Sequence, residues 1–131
     1  MLKLKTLSLV TLLLLLQACA NKPRMYDLTG VWESECIDIN DNNRYTIKIA
    51  YLANGSFESQ SKTRYQSAFF SGNYKHHKTK LNQTFFTSSN PRHRNKLPKT
   101  QISDLKWIDN NSVLITTGND KCTANRITNK S

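Results

Sequence analysis

Two residue pairs, one early and one late in the chain, constrain its architecture more than any other feature. The run Gly30-Val31-Trp32-Glu33-Ser34-Glu35-Cys36 is strand-like, and Cys122-Thr123-Ala124-Asn125-Arg126 answers it near the C-terminus. Side chains along a strand alternate faces with period 2. Trp32 therefore shares a face with Cys36, and Cys122 shares one with Arg126. Opposed residues in an antiparallel pair have a constant index sum, and both Cys36 with Cys122 and Trp32 with Arg126 sum to 158. One register thus sets cysteine against cysteine and tryptophan against arginine. It joins the first strand to the last, which is how a sheet closes into a barrel.

The stretch between these runs reads as strands and turns, with no sustained helical period. From Arg44 to Leu52, Tyr45, Ile47, Ile49 and Tyr51 alternate with Thr46, Lys48 and Ala50. Asn54-Gly55 is a strong hairpin signal. Beyond it Phe57, Ser59, Ser61, Thr63 and Tyr65 alternate with Ser56, Glu58, Gln60, Lys62 and Arg64. Every charge falls in the second set, so the first set is expected to face inward. Phe69 to Lys75, Lys80 to Phe86, Gln101 to Ile108, Ser112 to Thr117 and Lys121 to Ile127 supply further strands. Pro91 to Pro98 bracket a loop. The expected fold class is all-β: an antiparallel meander of about eight strands closed into a barrel over residues 30–127, with a tail at 128–131.

The N-terminus carries an address. Lys3 and Lys5 precede the apolar run Leu7 to Leu16, which is shorter than the ~20 residues a bilayer span needs and fits a cleaved secretory signal over residues 1–18. The run ends in Leu16-Gln17-Ala18-Cys19, which resembles the lipobox of bacterial lipoproteins. That resemblance implies diacylglycerol on the Cys19 sulfur, cleavage before Cys19, and a further acyl chain (typically palmitate) on the new amine. Two or more chains anchor stably where one does not. Residue 20 is Ala rather than Asp, which by the sorting rule of Gram-negative lipoproteins resembles an outer-membrane address facing the periplasm. Residues 19–29 then read as a short lipidated tether, polar and without periodicity.

Gly30 and Trp32 opening a first strand, a meander, and Arg126 in the last strand together resemble the lipocalin and calycin group, and in particular the small lipocalin-like domains of bacterial lipoproteins. The resemblance implies that Trp32 sits at the closed end of the barrel with Arg126 stacked on it. Such a cation–π contact is worth roughly 0.5–2 kcal/mol. It also implies a small apolar or amphipathic ligand inside, for which the inward Ser59, Ser61 and Thr63 leave room.

Cysteine usage agrees with export. With Cys19 lipidated, Cys36 and Cys122 remain as a pair, and an exported chain with an even pair points to a disulfide. No His or Cys stands at ligand spacing around either, so no metal is expected there.

Charge is distributed unevenly. The formal charge is +10, and no acidic residue occurs between Glu58 and Asp104. Two clusters stand out, Lys75-His76-His77-Lys78 with Lys80, and Arg92-His93-Arg94 with Lys96. Lys75, His76, Lys78, Lys80, Arg92, His93, Arg94 and Lys96 are the candidates for an anion site, and both clusters are expected near one rim. An anionic envelope component is the partner such charge attracts. Nucleic acid is not expected, since no stacking aromatics interleave the run. Neither a Gly-x-Ser-x-Gly, a His-Glu-x-x-His nor a phosphate loop is present. The chain reads as a binding protein rather than an enzyme, without a cofactor. The two function classes left open are a lipid-anchored binder of an internal ligand and an envelope interaction or inhibitor protein with a filled core and a basic rim.

Overall fold

A computed structural model describes residues 25–128. The signal peptide at 1–18, Cys19 and its lipidation, the first part of the 19–29 tether and the end of the 128–131 tail lie outside the described residues. Eight strands follow in order: β1 (Gly30–Asp38), β2 (Arg44–Tyr51), β3 (Ser56–Lys62), β4 (Ser67–His76), β5 (Lys80–Ser88), β6 (Lys99–Asp109), β7 (Ser112–Thr117) and β8 (Asp120–Arg126). Each pairs with the next, and β1 pairs with β8, so the sheet is a closed antiparallel barrel. The closing register opposes Trp32 to Arg126 and Cys36 to Cys122. The two cysteines form a disulfide. All eight strands, the buried core and the bridge therefore lie within the described residues.

The alternation read from the sequence is the alternation of burial. In β1, Trp32, Ser34 and Cys36 are buried while Val31, Glu33 and Glu35 face solvent. Closure leaves no unpaired edge. Most strand ends lie within two residues of expectation, and β3 departs most. β3 stops at Lys62, because the Thr63 amide donates to the Gln66 carbonyl at 2.9 Å and the Thr63 hydroxyl accepts from the Tyr65 and Gln66 amides. Thr offers the backbone a local partner that competes with the ladder. Thr63 therefore does not face inward, and Tyr65 is 86% exposed at the tip of the turn. In the Pro91–Pro98 loop, Pro91–Arg94 make one helical turn, α1, capped by the Asn90 side chain accepting from the Arg92 amide at 3.0 Å.

Between Ser71 and Gly72 the β4–β5 register shifts. A Cβ at residue 72 would lie 1.8 Å from the Thr84 carbonyl oxygen, so only glycine fits. The bulge leaves Phe86 without an opposite residue and sets Phe86 and Thr87 together on the outer face, so that Ser88 is the next buried position.

The inward positions stack in layers along the barrel axis. The layer containing Trp32, Tyr51, Phe57, Leu81, Leu105 and Val113 is bulky, apolar and buried. Two residues further along the same strands, the inward positions become Ser34, Ile49, Ser59, Gln83, Ser103 and Ile115. That switch, from bulky apolar side chains to three serines, a glutamine and two isoleucines, leaves a cavity inside the barrel.

Candidate functional site

The meander fixes two ends. At one end lie the start of β1, the end of β8 and the β2–β3, β4–β5 and β6–β7 turns; at the other lie the β1–β2, β3–β4, β5–β6 and β7–β8 connections. The first end is closed. The Arg126 guanidinium lies over the Trp32 ring, 4.4 Å from its centroid. It also donates to the carbonyls of Thr29, Asp27 (2.6 Å) and Asn110 (3.1 Å). The Trp32 indole N–H donates to the Leu28 carbonyl at 2.8 Å, and Leu28 is fully buried. The last residues of the stretch read as a tether thus form part of the barrel floor. Trp107 packs edge-on against both Trp32 and Tyr26, at 6.0 and 5.7 Å between centroids. Gly30 has φ +128°, and a Cβ there would come within 2.9 Å of the Arg126 Nη1. The glycine of the Gly-x-Trp pair is what lets the arginine reach the backbone beneath the tryptophan.

Two ionisable groups reflect this closure. Burial lowers the pKa of Arg126, partly countered by Asp27, although a guanidinium stays charged regardless. Burial would raise Asp27, but hydrogen bonds from the Thr29 amide and hydroxyl, with the charges of His76 and Arg126, outweigh it and lower its pKa.

The other end is open. A cavity of about 470 Å³ begins above the apolar floor and reaches the β5–β6 connection. Ile47, Ile49, Phe70, Leu81, Phe85 and Ile115 give it apolar walls, and Ser34, Ser59, Ser61, Gln83, Gln101 and Ser103 give it polar ones. His93, Lys96, Leu97 and Lys99 stand at its mouth. The His93 ring packs against Phe70 at 5.5 Å, so α1 leans over the opening. Opposite them, Tyr45 and Asp120 complete the lining. Burial first, then the Asp120 and Asp38 charges, push the Tyr45 phenol up; burial, with Tyr74 beside it, does the same for Tyr51. Both stay neutral hydroxyls. Tyr51 accepts from the Gln83 amide at 3.4 Å, and the Ser103 and Thr117 hydroxyls are hydrogen-bonded at 2.6 Å.

The two basic clusters do not share a rim. Lys75 to Lys80 lie at the β4–β5 turn, at the closed end, while Arg92 to Lys96 lie in the β5–β6 connection, at the open end. A hairpin turn and the return connection after it fall at opposite ends of a meander, which sequence proximity alone conceals. Several of the candidate cations also have partners. Lys80 pairs with Asp104, and Lys78 covers the Tyr26 ring at 4.8 Å. The Arg94 Nε donates to the Ser88 carbonyl at 3.0 Å. His76 stacks on Tyr74 within the closed half, and Lys75 and Arg92 are exposed on the outer surface. Of the named candidates, only His93 and Lys96 line the cavity, joined by Lys99. Lys99 opens β6 directly after Pro98, and that proximity to the loop was its one sequence signal.

The fold defines a class, the closed eight-stranded antiparallel meander barrel with one plugged end. The chain is similar in fold to a crystal structure of an uncharacterized protein from Bacteroides eggerthii DSM 20697, with a TM-score of 0.56 and 15% identity over 77% of this chain and 100% of that chain. No family model and no curated protein matches the sequence.

Proposed function

We propose that this chain is a lipid-anchored envelope lipoprotein with a lipocalin-like domain, and that its barrel binds a small amphipathic ligand entering at the end away from Trp32. The observation that carries the reading is the cavity of about 470 Å³, whose size is that of small-molecule sites. It has an apolar floor, mixed walls and a mouth bearing Lys96 and Lys99. The alternative, an interaction protein with a filled core and a basic rim, has less support, because the inward layer above the floor is too small to fill the barrel. Anchoring through Cys19 at the outer membrane follows from the lipobox-like run and Ala20. No catalytic step is part of this reading.

The test uses the mature chain from Cys19 onward, which contains every strand and the disulfide. Native mass spectrometry reads any co-purified small molecule, and N-phenyl-1-naphthylamine fluorescence reads saturable uptake into the cavity. A chain that carries nothing and leaves the dye dark is not a ligand binder. Membrane association that persists in Cys19→Ser would separately refute the anchor.

A further inference from the structure

The middle layer of the barrel has more hydrogen-bonding capacity than an apolar tail can use. Ser34, Ser59, Gln83 and Ser103 are all buried, all line the cavity, and stand one inward position above the bulky floor. They come from four different strands, β1, β3, β5 and β6. Polar side chains therefore reach the bottom of the cavity as well as its mouth. A primary amide has two donors and two acceptor lone pairs. The Gln83 amide has a single hydrogen bond among the described residues, the long one of 3.4 Å to Tyr51.

An alkyl chain lowered into this site would return no hydrogen bond to Ser34, Ser59 or Gln83, while Ser103, already paired with the Thr117 hydroxyl at 2.6 Å, would gain no further partner for its remaining hydrogen-bonding capacity. Each buried polar group left unpaired carries a desolvation penalty. Sites built around a ligand hydroxyl or amide discriminate strongly against analogues that lack it, for the same reason. Above this layer, Phe70 and Phe85 offer flat apolar contact.

We propose that the ligand is a compact ring-based molecule that brings two or more hydroxyl, carbonyl or amide groups to the bottom of the barrel, and that a plain acyl chain is not what this site recognises. Gln83 and Ser103 are the residues that read the inner end. The inference rests on the ligand-binding reading above and specifies its ligand class.

The experiment is competition against N-phenyl-1-naphthylamine by three probes: flavone, 3,5,7-trihydroxyflavone and dodecanoate. The trihydroxyflavone is expected to displace the dye at a concentration at least tenfold below that of either other probe. In Gln83→Leu, and separately in Ser103→Ala, the preference for trihydroxyflavone over flavone, both measured on the same variant, should fall to about threefold or less. Circular dichroism and the melting temperature confirm that each variant is folded, and the conservative Ser103→Ala keeps the test open if Gln83→Leu is not. Dodecanoate or flavone competing as well as the trihydroxyflavone overturns the proposal while leaving the ligand-binding reading standing. So does a dye that no probe displaces, or a variant that weakens all probes alike. A dye that does not bind at all overturns both.

Discussion

The two ends of this barrel are built from the same eight strands and behave as different materials. At the closed end the inward positions hold Trp32, Trp107, Tyr51, Phe57, Leu81 and Leu105. The chain segment before β1 is drawn underneath and fastened to Arg126 through the carbonyls of Asp27 and Thr29. At the open end the inward positions hold serines, glutamines and a few isoleucines around a cavity. A fully packed interior requires volume at every layer, and here the layer above the floor lacks it. The disulfide sits between β1 and β8 in this underfilled half, where packing holds the seam least. Packed core and cavity thus lie at opposite ends. Apart from the disulfide, substitutions at the closed end should change stability and leave dye uptake alone, and substitutions of cavity-lining residues at the open end should do the reverse.

The largest expected effect is that of the disulfide, because it serves the half that packing serves least. Bridging residues 86 positions apart is worth about 4.6 kcal/mol on the chain-entropy model. For a barrel of this size, loss of the bridge should lower the melting temperature by roughly 15 °C or more. Calorimetry of the Cys36→Ser/Cys122→Ser chain measures it. A fall smaller than that caused by Arg126→Ala would mean that the clasp at the closed end, and not the bridge, holds the seam.

Next comes Arg126→Ala. A cation–π contact contributes at most about 2 kcal/mol, and the carbonyls of Asp27 and Thr29 lose their donor as well. The melting temperature should fall by less than in the disulfide variant, with N-phenyl-1-naphthylamine uptake unchanged. A large change in uptake would show that the two ends are coupled and sink the division of labour.

Ser59→Leu is the opposite case. It replaces a hydroxyl by three carbons in the cavity, where empty volume is available, so the change in stability should stay under about 1 kcal/mol. Dye uptake should drop at least tenfold. A variant that melts much lower but still takes up dye would place Ser59 in packed core instead.

How far the sequence went follows the same division. The closing register was legible because Trp32, Cys36, Cys122 and Arg126 share one spacing and one index sum, and period-2 alternation is a local property of a strand. The end of β3 was not legible, since Thr63 looks like a strand residue and only its hydrogen bonds to the following turn reveal otherwise. The basic clusters misled for a global reason: which end a turn occupies depends on the whole meander. Leu28 reads as tether because its burial depends on Arg126, nearly a hundred residues away, holding its neighbours in place. The cavity was foreshadowed by Ser59 and Ser61, but its depth depends on Ser34, Gln83 and Ser103 from other strands coming to one level.

The smallest expected effect is a pH dependence confined to the closed end. Asp27 sits where the chain passes under the barrel, accepting from the Thr29 amide at 2.9 Å. Burial works against its charged form, and the Thr29 hydrogen bonds with the charges of His76 and Arg126 more than offset it, so its pKa lies below the ordinary 3.8. A carboxyl with a depressed folded-state pKa contributes stability that is present above the unfolded value and lost as pH falls through the folded one. Asp27→Asn removes that contribution at every pH. The difference in melting temperature between the unmodified chain and Asp27→Asn should therefore be steady from neutral pH down to about pH 5, then shrink as pH falls through the ordinary 3.8 and below it. Because the other eight carboxylates are common to both chains, the difference isolates this one. A difference that stays constant through acidification would remove Asp27 from the clasp. One that widens would show that burial outweighs the hydrogen bonds, and that the closed end tolerates acid better with a neutral side chain at residue 27.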